Sequence, residues 1–167
     1  SQEADVPFEL GIIRNHYVGR TFIEPEQQIR QLGVKLKHSA NQLQVKGKRI
    51  VLIDDSVVRG TTSVKIVQMM REAGAKEVHM RISSPPITHP DFYGIDTPNQ
   101  DKLLAANRTL EEMRGFMGAD SLAFISVDGI YRAMGFDGRD DDNPQFTDHC
   151  FTGEYPTRLR DREGPPQ

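Results

Sequence analysis

The sequence has one cysteine in 167 residues and no apolar run long enough to cross a bilayer. A single cysteine excludes an intramolecular disulfide framework and is typical of a reducing compartment. The N-terminus is polar and acidic, without a signal-peptide pattern. The net charge of −3 gives no indication of nucleic-acid binding. We therefore expect a cytoplasmic protein with neither a nucleic-acid nor a membrane partner.

The composition is that of one globular domain. Apolar residues make up 37% of the chain and charged residues 27%, and no internal repeat is present. The last residues, ending in Gly-Pro-Pro-Gln, are polar and offer little to pack. We predict one domain over residues 1–157 and a mobile tail over residues 158–167.

The most informative stretch runs from Arg49 to Ser63. Its four consecutive aliphatic residues, Ile50–Ile53, are too few for a helix and predict a strand buried on both faces. Asp54 and Asp55 follow at the C-terminal end of that strand, the edge at which open α/β sheets bind ligands.

A loop rich in hydroxyl groups separates this acidic pair from an amphipathic helix that should begin near Ser63. Its Ser56, Thr61 and Thr62 hydroxyls, together with free N–H groups at the helix start, can surround a phosphate. Carboxylates cannot bind a phosphate, but they accept hydrogen bonds from a vicinal diol. The stretch therefore predicts a sugar-phosphate site.

The acidic pair has two other interpretations. In phospho-acceptor receiver domains an Asp-Asp pair after an apolar strand holds a metal, but the Arg-Gly-Thr-Thr sequence that follows here argues against that class. The pair could also belong to a purely structural turn. Adjacent acids at a buried strand end are costly, however, unless something binds them.

The remaining patterns alternate between strands and helices, which predicts an α/β fold with a mostly parallel sheet flanked by helices. Helices should begin at Thr97-Pro98 and at the capping box Thr109–Glu112. Further strands are expected at 8–13, 78–82 and 121–125, and further helices at 63–73 and 127–134.

The segment 14–45 is long, polar and hard to assign to regular structure. Between Arg14 and Arg49 the chain has eight Lys or Arg residues and only two acids, Glu24 and Glu26. A solvated basic face is one interpretation. Beside a phosphate site, the segment is better explained as an attractor for pyrophosphate, because long loops in compact domains are usually functional or disordered.

The five histidines show no metal-ligand spacing. His149-Cys150 could be half of a metal site, but nothing in the sequence pairs with it, and a surface or core role is the favoured interpretation. No Ser/His/Asp or Cys/His nucleophile is evident either.

The stretch from Arg49 to Ser63 resembles the phosphoribosyl-pyrophosphate (PRPP) signature of type I phosphoribosyltransferases. Three further motifs, Arg14–Ile23, Phe92–Asp96 and Phe151–Thr157, resemble the glutamine PRPP amidotransferase family. The resemblance covers nearly the whole chain from about Val6. It implies a type I phosphoribosyltransferase-like fold that begins after the family's first strand and its Asp-Ser-Gly loop.

The resemblance also implies roles for individual residues. Asp54 and Asp55 would hold the ribose hydroxyls and contribute to Mg²⁺ binding, with Lys37 as a third catalytic residue near pyrophosphate. The family's flexible loop, here 14–45, would close over PRPP. Its members would include Arg14, Tyr17 and Arg20, and the PRPP-binding residues would be Ser56, Val58, Arg59, Gly60, Thr61 and Thr62.

The implied reaction makes 5-phosphoribosylamine and pyrophosphate from PRPP and ammonia, in the first step of de novo purine synthesis. A glutaminase domain, which this chain does not contain, would deliver the ammonia, so we expect the chain alone to be inactive. Purine nucleotides would be feedback ligands, and a homo-oligomer is expected. The alternative is a regulatory module that binds PRPP without turning it over.

Some members of the family bind an iron–sulfur cluster through several cysteines. Here Asp91 and Thr147 stand at two of those positions, and Cys150 is the one cysteine. Because a cluster needs about four thiolates, the resemblance implies that this chain has none.

Overall fold

A computed structural model describes residues 1–14, 38–157 and 159, and the following account concerns these residues. The backbone of Arg14 and His38 is described, but their side chains are not. The strands are β1 (Ile12–Arg14), β2 (His38–Ala40), β3 (Arg49–Asp54), β4 (Glu77–Ile82) and β5 (Ser121–Phe124). The helices are α1 (Gln42–Val45), α2 (Thr61–Glu72), α3 (Leu104–Asn107), α4 (Leu110–Met117), α5 (Val127–Ala133) and α6 (His149–Thr152), with a 3-10 helix at Gln100–Lys102.

The strands β3, β4 and β5 form one sheet in that order. The Lys76 amide donates to the Lys48 carbonyl at 2.8 Å, and seven residues later the Ser83 amide donates to the Asp54 carbonyl at 3.0 Å. Since the partners advance together along both segments, β3 and β4 are parallel. The predicted mostly parallel α/β sheet is confirmed.

The burial predicted for β3 is wrong. Val51 is 51% exposed and Ile53 68% exposed, whereas Val78 and Met80 in β4 are fully buried. In the described part of the sheet β3 is an edge strand and β4 is central. Four aliphatic residues in a row are therefore enough to predict the strand, but they do not determine how many of its faces are covered.

Contacts divide the chain into two compact units. The first comprises Ser1–Leu52, Thr61–Met80 and Arg114–Ser121. Within it Val67 and Met70 of α2 are buried, and α2 begins at Thr61, two residues before the predicted start. The carboxylate of Asp120 accepts hydrogen bonds from the Val78 amide at 2.6 Å and from Arg71 at 2.5 Å. This carboxylate therefore joins α2 to the start of β4.

The second unit comprises Ile53–Gly60, Arg81–Met113 and Leu122–Gln167. In this unit the side chain of Arg139 is 7% exposed and donates from Nε to Asp148 Oδ2 at 2.7 Å. The Tyr131 hydroxyl donates to the same oxygen at 2.8 Å, and Glu154 also accepts from Arg139. A buried charge is tolerated here because it is paired on several sides.

Two predicted helix starts had different outcomes. The capping box is confirmed: the Thr109 amide donates to Glu112 Oε2 at 2.7 Å, and the Glu112 amide donates to Thr109 Oγ1 at 3.3 Å. The helix start predicted at Thr97-Pro98 is wrong, because helical structure begins only at Gln100. Thr97 Oγ1 instead accepts a hydrogen bond from the Asp91 amide at 2.6 Å.

The N-terminal strand is shorter than predicted. Phe8 and Leu10 lie outside β1 and are exposed, and β1 pairs antiparallel with β2. Part of the predicted loop 14–45 is regular, namely β2 and α1. Residues 15–37, and the tail apart from 159, lie outside the described residues. Over residues 1–14 and 38–157, no helix combines the length and apolar character that crossing a membrane would require.

Candidate functional site

The acidic pair lies where β3 ends. Asp54 is the last residue of the strand. Its carbonyl accepts hydrogen bonds from the Ser83 amide at 3.0 Å and from the Ser83 hydroxyl at 3.2 Å. These bonds come from the segment directly after β4, so the sheet fixes the backbone that carries the two carboxylates.

Each carboxylate of the pair uses one oxygen for a local hydrogen bond. Asp54 Oδ1 accepts from the Asp55 amide at 3.1 Å, and Asp55 Oδ1 accepts from the Ser56 amide at 2.6 Å and its hydroxyl at 3.3 Å. Within the described residues, neither Oδ2 atom has a hydrogen bond. Two acceptor oxygens are therefore available to a diol or a cation.

The pair is also electrostatically strained. Burial raises the pKa of Asp54, the hydrogen bond from the Asp55 amide opposes this, and the charge of Asp55 adds to the increase. A ligand that donates hydrogen bonds, or a cation, would relieve the repulsion between the two carboxylates. A carboxyl group with a perturbed pKa at a strand end, as Asp54 has here, is typical of functional sites.

The loop after the pair is anchored on one side. Val57 is 2% exposed, and the Val58 carbonyl accepts from the Leu104 amide at 2.9 Å. Arg59 is exposed. Gly60 has φ +73°, a conformation that side chains other than glycine's rarely adopt, so the turn into α2 depends on this residue.

The two threonines that follow are the first residues of α2, and both are exposed. Thr61 and Thr62 thus combine hydroxyl groups with the unpaired N–H groups of a helix start. Ser63, which follows them, is buried.

The predicted residues from Asp54 to Thr62 therefore form one continuous strand end, loop and helix start. Arg14 lies in β1, but its side chain is outside the described residues, as are Tyr17, Arg20 and Lys37. Their predicted role in closing over PRPP stays a prediction.

The acidic pair fits the Mg²⁺ that the resemblance implies. Mg²⁺ prefers oxygen ligands and is usually held by one or two carboxylates together with substrate oxygens. Asp54 and Asp55 each offer one oxygen without a hydrogen bond from the described residues. The donor set is therefore chemically suitable.

A second cluster, for which the sequence has no local pattern, joins Asp91 to His149 and Cys150. His149 Nε2 lies 2.8 Å from Asp91 Oδ2, and both side chains are only 4% exposed. One ligand atom from each of the three residues lies within 4.8 Å of the others. The interpretation that nothing pairs with His149-Cys150 is wrong, because Asp91 contacts His149. The sequence does not indicate this contact, since Asp91 precedes His149 by 58 residues.

The surroundings of this cluster affect its protonation. Burial opposes ionisation of Asp91, but hydrogen bonds from the Ile95 and Tyr93 amides and from His149 together lower its pKa. Burial raises the pKa of the Cys150 thiol, and the charge of Asp91 adds to that effect. A raised thiol pKa argues against a reactive nucleophile at this position.

The chain passes very close to His89 just after α6. Gly153 has φ +80°, and a Cβ atom placed there would lie 2.7 Å from His89 Nε2. The Thr88 and His89 amides both donate to the Cys150 carbonyl, at 2.9 Å and 3.1 Å. This close approach requires glycine at position 153, within the Phe151–Thr157 motif.

A parallel sheet with an acidic strand end that leads into a Gly-Thr-Thr helix start defines a phosphoribosyltransferase-type α/β fold. No family model matches the sequence. The chain is nevertheless homologous to the amidophosphoribosyltransferases over nearly its whole length. It is 67% identical to the amidophosphoribosyltransferase of Rhizobium etli over 98% of its own residues, and 53% identical to that of Bacillus subtilis over 95%.

Solved structures agree with this relationship. The glutamine PRPP amidotransferase from B. subtilis in complex with ADP and GMP matches 95% of the chain, with 53% identity and a TM-score of 0.81. A structure described as the allosteric regulatory enzyme of purine biosynthesis matches 92%, with 52% identity and a TM-score of 0.76. The chain spans about a third of the length of these relatives: 33% of the R. etli protein and 34% of the first structure.

Proposed function

We propose that this chain is the PRPP-binding part of an amidophosphoribosyltransferase. The intact enzyme would transfer ammonia from glutamine to C1 of PRPP, giving 5-phosphoribosylamine and pyrophosphate in the first step of de novo purine (IMP) biosynthesis. The observation that carries the proposal is the pair of available carboxylate oxygens at the end of β3, directly before the loop into α2.

Binding would use both ends of this segment. Asp54 Oδ2 and Asp55 Oδ2 would accept hydrogen bonds from the ribose 2′- and 3′-hydroxyls. The 5′-phosphate would lie against residues 56–62, where the helix start supplies N–H donors and the positive end of the helix dipole. The two chemistries are separate, so exchanging the acidic pair for neutral residues should weaken sugar binding and leave phosphate binding largely intact.

The reaction breaks the bond between C1 and the pyrophosphate oxygen and forms a bond between C1 and ammonia nitrogen. Positive charge develops on the ring as pyrophosphate departs, as in glycoside hydrolysis. The carboxylates of Asp54 and Asp55 lower the energy of that charge. Bound Mg²⁺ would supply charge neutralisation for pyrophosphate. Lys37 and the loop 14–45 would cover the reactants and exclude water.

Further partners follow from the same proposal. Ammonia would come from a glutaminase domain outside this chain. Because the B. subtilis relative was solved with ADP and GMP, purine nucleotides would act here as feedback ligands. We also propose a cytoplasmic homo-oligomer.

The test measures pyrophosphate release from PRPP with excess ammonia and Mg²⁺. A longer protein, containing this chain together with a glutaminase domain, should release pyrophosphate, and the 167-residue chain alone should not. A longer protein that binds PRPP but leaves it intact would identify a regulatory PRPP-binding module instead. Equal rates from the two proteins would show that the 167 residues contain the whole active site.

A further inference from the structure

The cluster of Asp91, His149 and Cys150 lies outside the phosphoribosyl site. The three residues offer an oxygen, a nitrogen and a sulfur atom, all within 4.8 Å of one another. Tetrahedral zinc has bonds of about 2.0–2.3 Å, which places its ligand atoms about 3.3–3.6 Å apart. The cluster therefore needs only small shifts of side chains to surround a metal ion.

A second observation concerns the imidazole of His149. Its Nδ1 atom is buried and is the one buried side-chain nitrogen or oxygen in the described residues without a hydrogen-bond partner. The side chain is 4% exposed, so water does not compensate for the missing bond. Leaving such an atom unpaired costs about 1–3 kcal/mol. Nε2 faces Asp91 at 2.8 Å, so Nε2 is the ring nitrogen that would share a metal ion with Asp91.

From this geometry we propose that Asp91, His149 and Cys150 bind one divalent transition-metal ion, with zinc as the best fit. Thiolate and imidazole ligands select zinc-like metals over Mg²⁺ or Ca²⁺. A carboxylate and a thiolate also balance the two positive charges of the ion, so a buried neutral site results. Three protein ligands leave one tetrahedral position for water.

The role of this metal would be structural. Asp91 precedes the Phe92–Asp96 motif, whereas His149 and Cys150 are the first residues of α6. These segments already contact each other: the Tyr155 hydroxyl donates to the Pro90 carbonyl at 2.8 Å, and the ring centroids of Tyr93 and His149 lie 5.0 Å apart. A metal would fix both segments to one point.

The test uses the purified 167-residue chain with Zn²⁺, followed by calorimetry, and with Co²⁺, followed by absorption spectroscopy. We expect one Zn²⁺ per chain with a dissociation constant below about 1 μM. Co²⁺ should give a thiolate charge-transfer band and the visible bands of a tetrahedral ion. Zn²⁺ should also raise the midpoint of thermal unfolding.

Variants then assign the ligands. Cys150→Ser should abolish the charge-transfer band and lower Zn²⁺ affinity at least about 100-fold, and Asp91→Asn should lower affinity by at least about tenfold. His79→Gln is the matched control: His79 is half-buried and bonded to Glu77 and Ser121, and its loss should leave Zn²⁺ affinity unchanged. Circular dichroism of each metal-free variant checks that it folds.

Three results would overturn the proposal. The first is no Zn²⁺ binding by the folded wild-type chain at micromolar concentration. The second is a Co²⁺ spectrum without the thiolate band, a readout that needs no variant. The third is stoichiometric iron with acid-labile sulfide in protein purified without oxygen.

Discussion

Two groups of carboxylates within the second unit differ in how they use their oxygens. Asp54 and Asp55 each accept local hydrogen bonds on Oδ1 and keep Oδ2 without a bond from the described residues. Asp91 uses both oxygens, accepting from the Tyr93 and Ile95 amides on one and from His149 on the other. In the metal-free chain Asp91 therefore links segments of the chain, and a metal ion would have to displace its contact with His149. A carboxylate with an oxygen to spare can bind a ligand.

The largest effect is expected from removing Asp91. Asp91→Ala leaves the His149 ring and two backbone amides without acceptors, and should lower the free energy of unfolding by about 3 kcal/mol. Urea denaturation in the presence of a chelator measures this. Asp55→Ala is the control and should change the value by less than about 0.5 kcal/mol. Equal losses of stability in the two variants would show that Asp91 holds the fold no more than Asp55 does.

Removing the charge of Asp54 or Asp55 should instead lower catalysis and leave the fold intact. In the longer enzyme, Asp54→Asn or Asp55→Asn should lower turnover of PRPP about 100-fold, equivalent to about 2.7 kcal/mol, because a neutral amide cannot lower the energy of the cationic transition state. Steady-state kinetics gives the measurement. Asp101→Asn, on the exposed 3-10 helix, should keep wild-type rates. Wild-type turnover in both strand-end variants would mean that these carboxylates do not contact the substrate.

Lowering the pH should change the contributions of Asp91 and Asp54 to stability in opposite directions. The pKa of Asp91 is lowered from 3.8, so its stabilisation is present above that pH and is lost as pH falls through the lowered value. The pKa of Asp54 is raised, so its ionisation weakens the fold near neutral pH, and protonation removes that penalty. Thermal unfolding from pH 7 to pH 3 should therefore show a shallower loss for Asp91→Asn than for wild type. Asp54→Asn should be more stable than wild type at pH 7. A lower midpoint for Asp54→Asn at pH 7 would contradict the direction given for Asp54.

The smallest effect tests whether exposure alone identifies an available carboxylate. Glu112 is exposed, yet its carboxylate accepts hydrogen bonds from the Thr109 amide and hydroxyl, which lower its pKa. Thr109→Ala should reduce stability by about 1 kcal/mol through loss of the helix cap. Thr147→Ala, at an exposed position, should have almost no effect. Chemical denaturation that gave equal values for both variants would show that the cap contributes nothing.

Local patterns were sufficient to predict much of the fold. The strand before Asp54, the capping box at Thr109 and the end of the helix expected at 63–73, where Gly74 has φ +92°, all depend on neighbours within a few residues. The strand expected at 78–82 is also present as β4, and its buried residues Val78, Met80 and Ile82 alternate along it.

The errors have long-range causes. The exposure of Val51 and Ile53 depends on which strand lies beside β3, and the run of aliphatic residues does not contain that information. Thr97 resembles a helix cap, but its hydroxyl is used by the Asp91 amide. The contact between Asp91 and His149 has no sequence signal of its own, since the acid precedes the histidine by 58 residues. The strand-end site was predictable because all its described parts are adjacent in the chain.

The close approach of Gly153 to His89 has a consequence for how this sequence can change over generations. Any other amino acid at 153 would meet a ring nitrogen at 2.7 Å while also holding a left-handed backbone. The two difficulties are independent, so shortening His89 to Ala or Ser would remove only the first. A mutation of His89 alone therefore does not compensate for the loss of glycine at 153. In a saturation library selected for folded protein, codon 153 should retain glycine even in backgrounds where codon 89 varies freely.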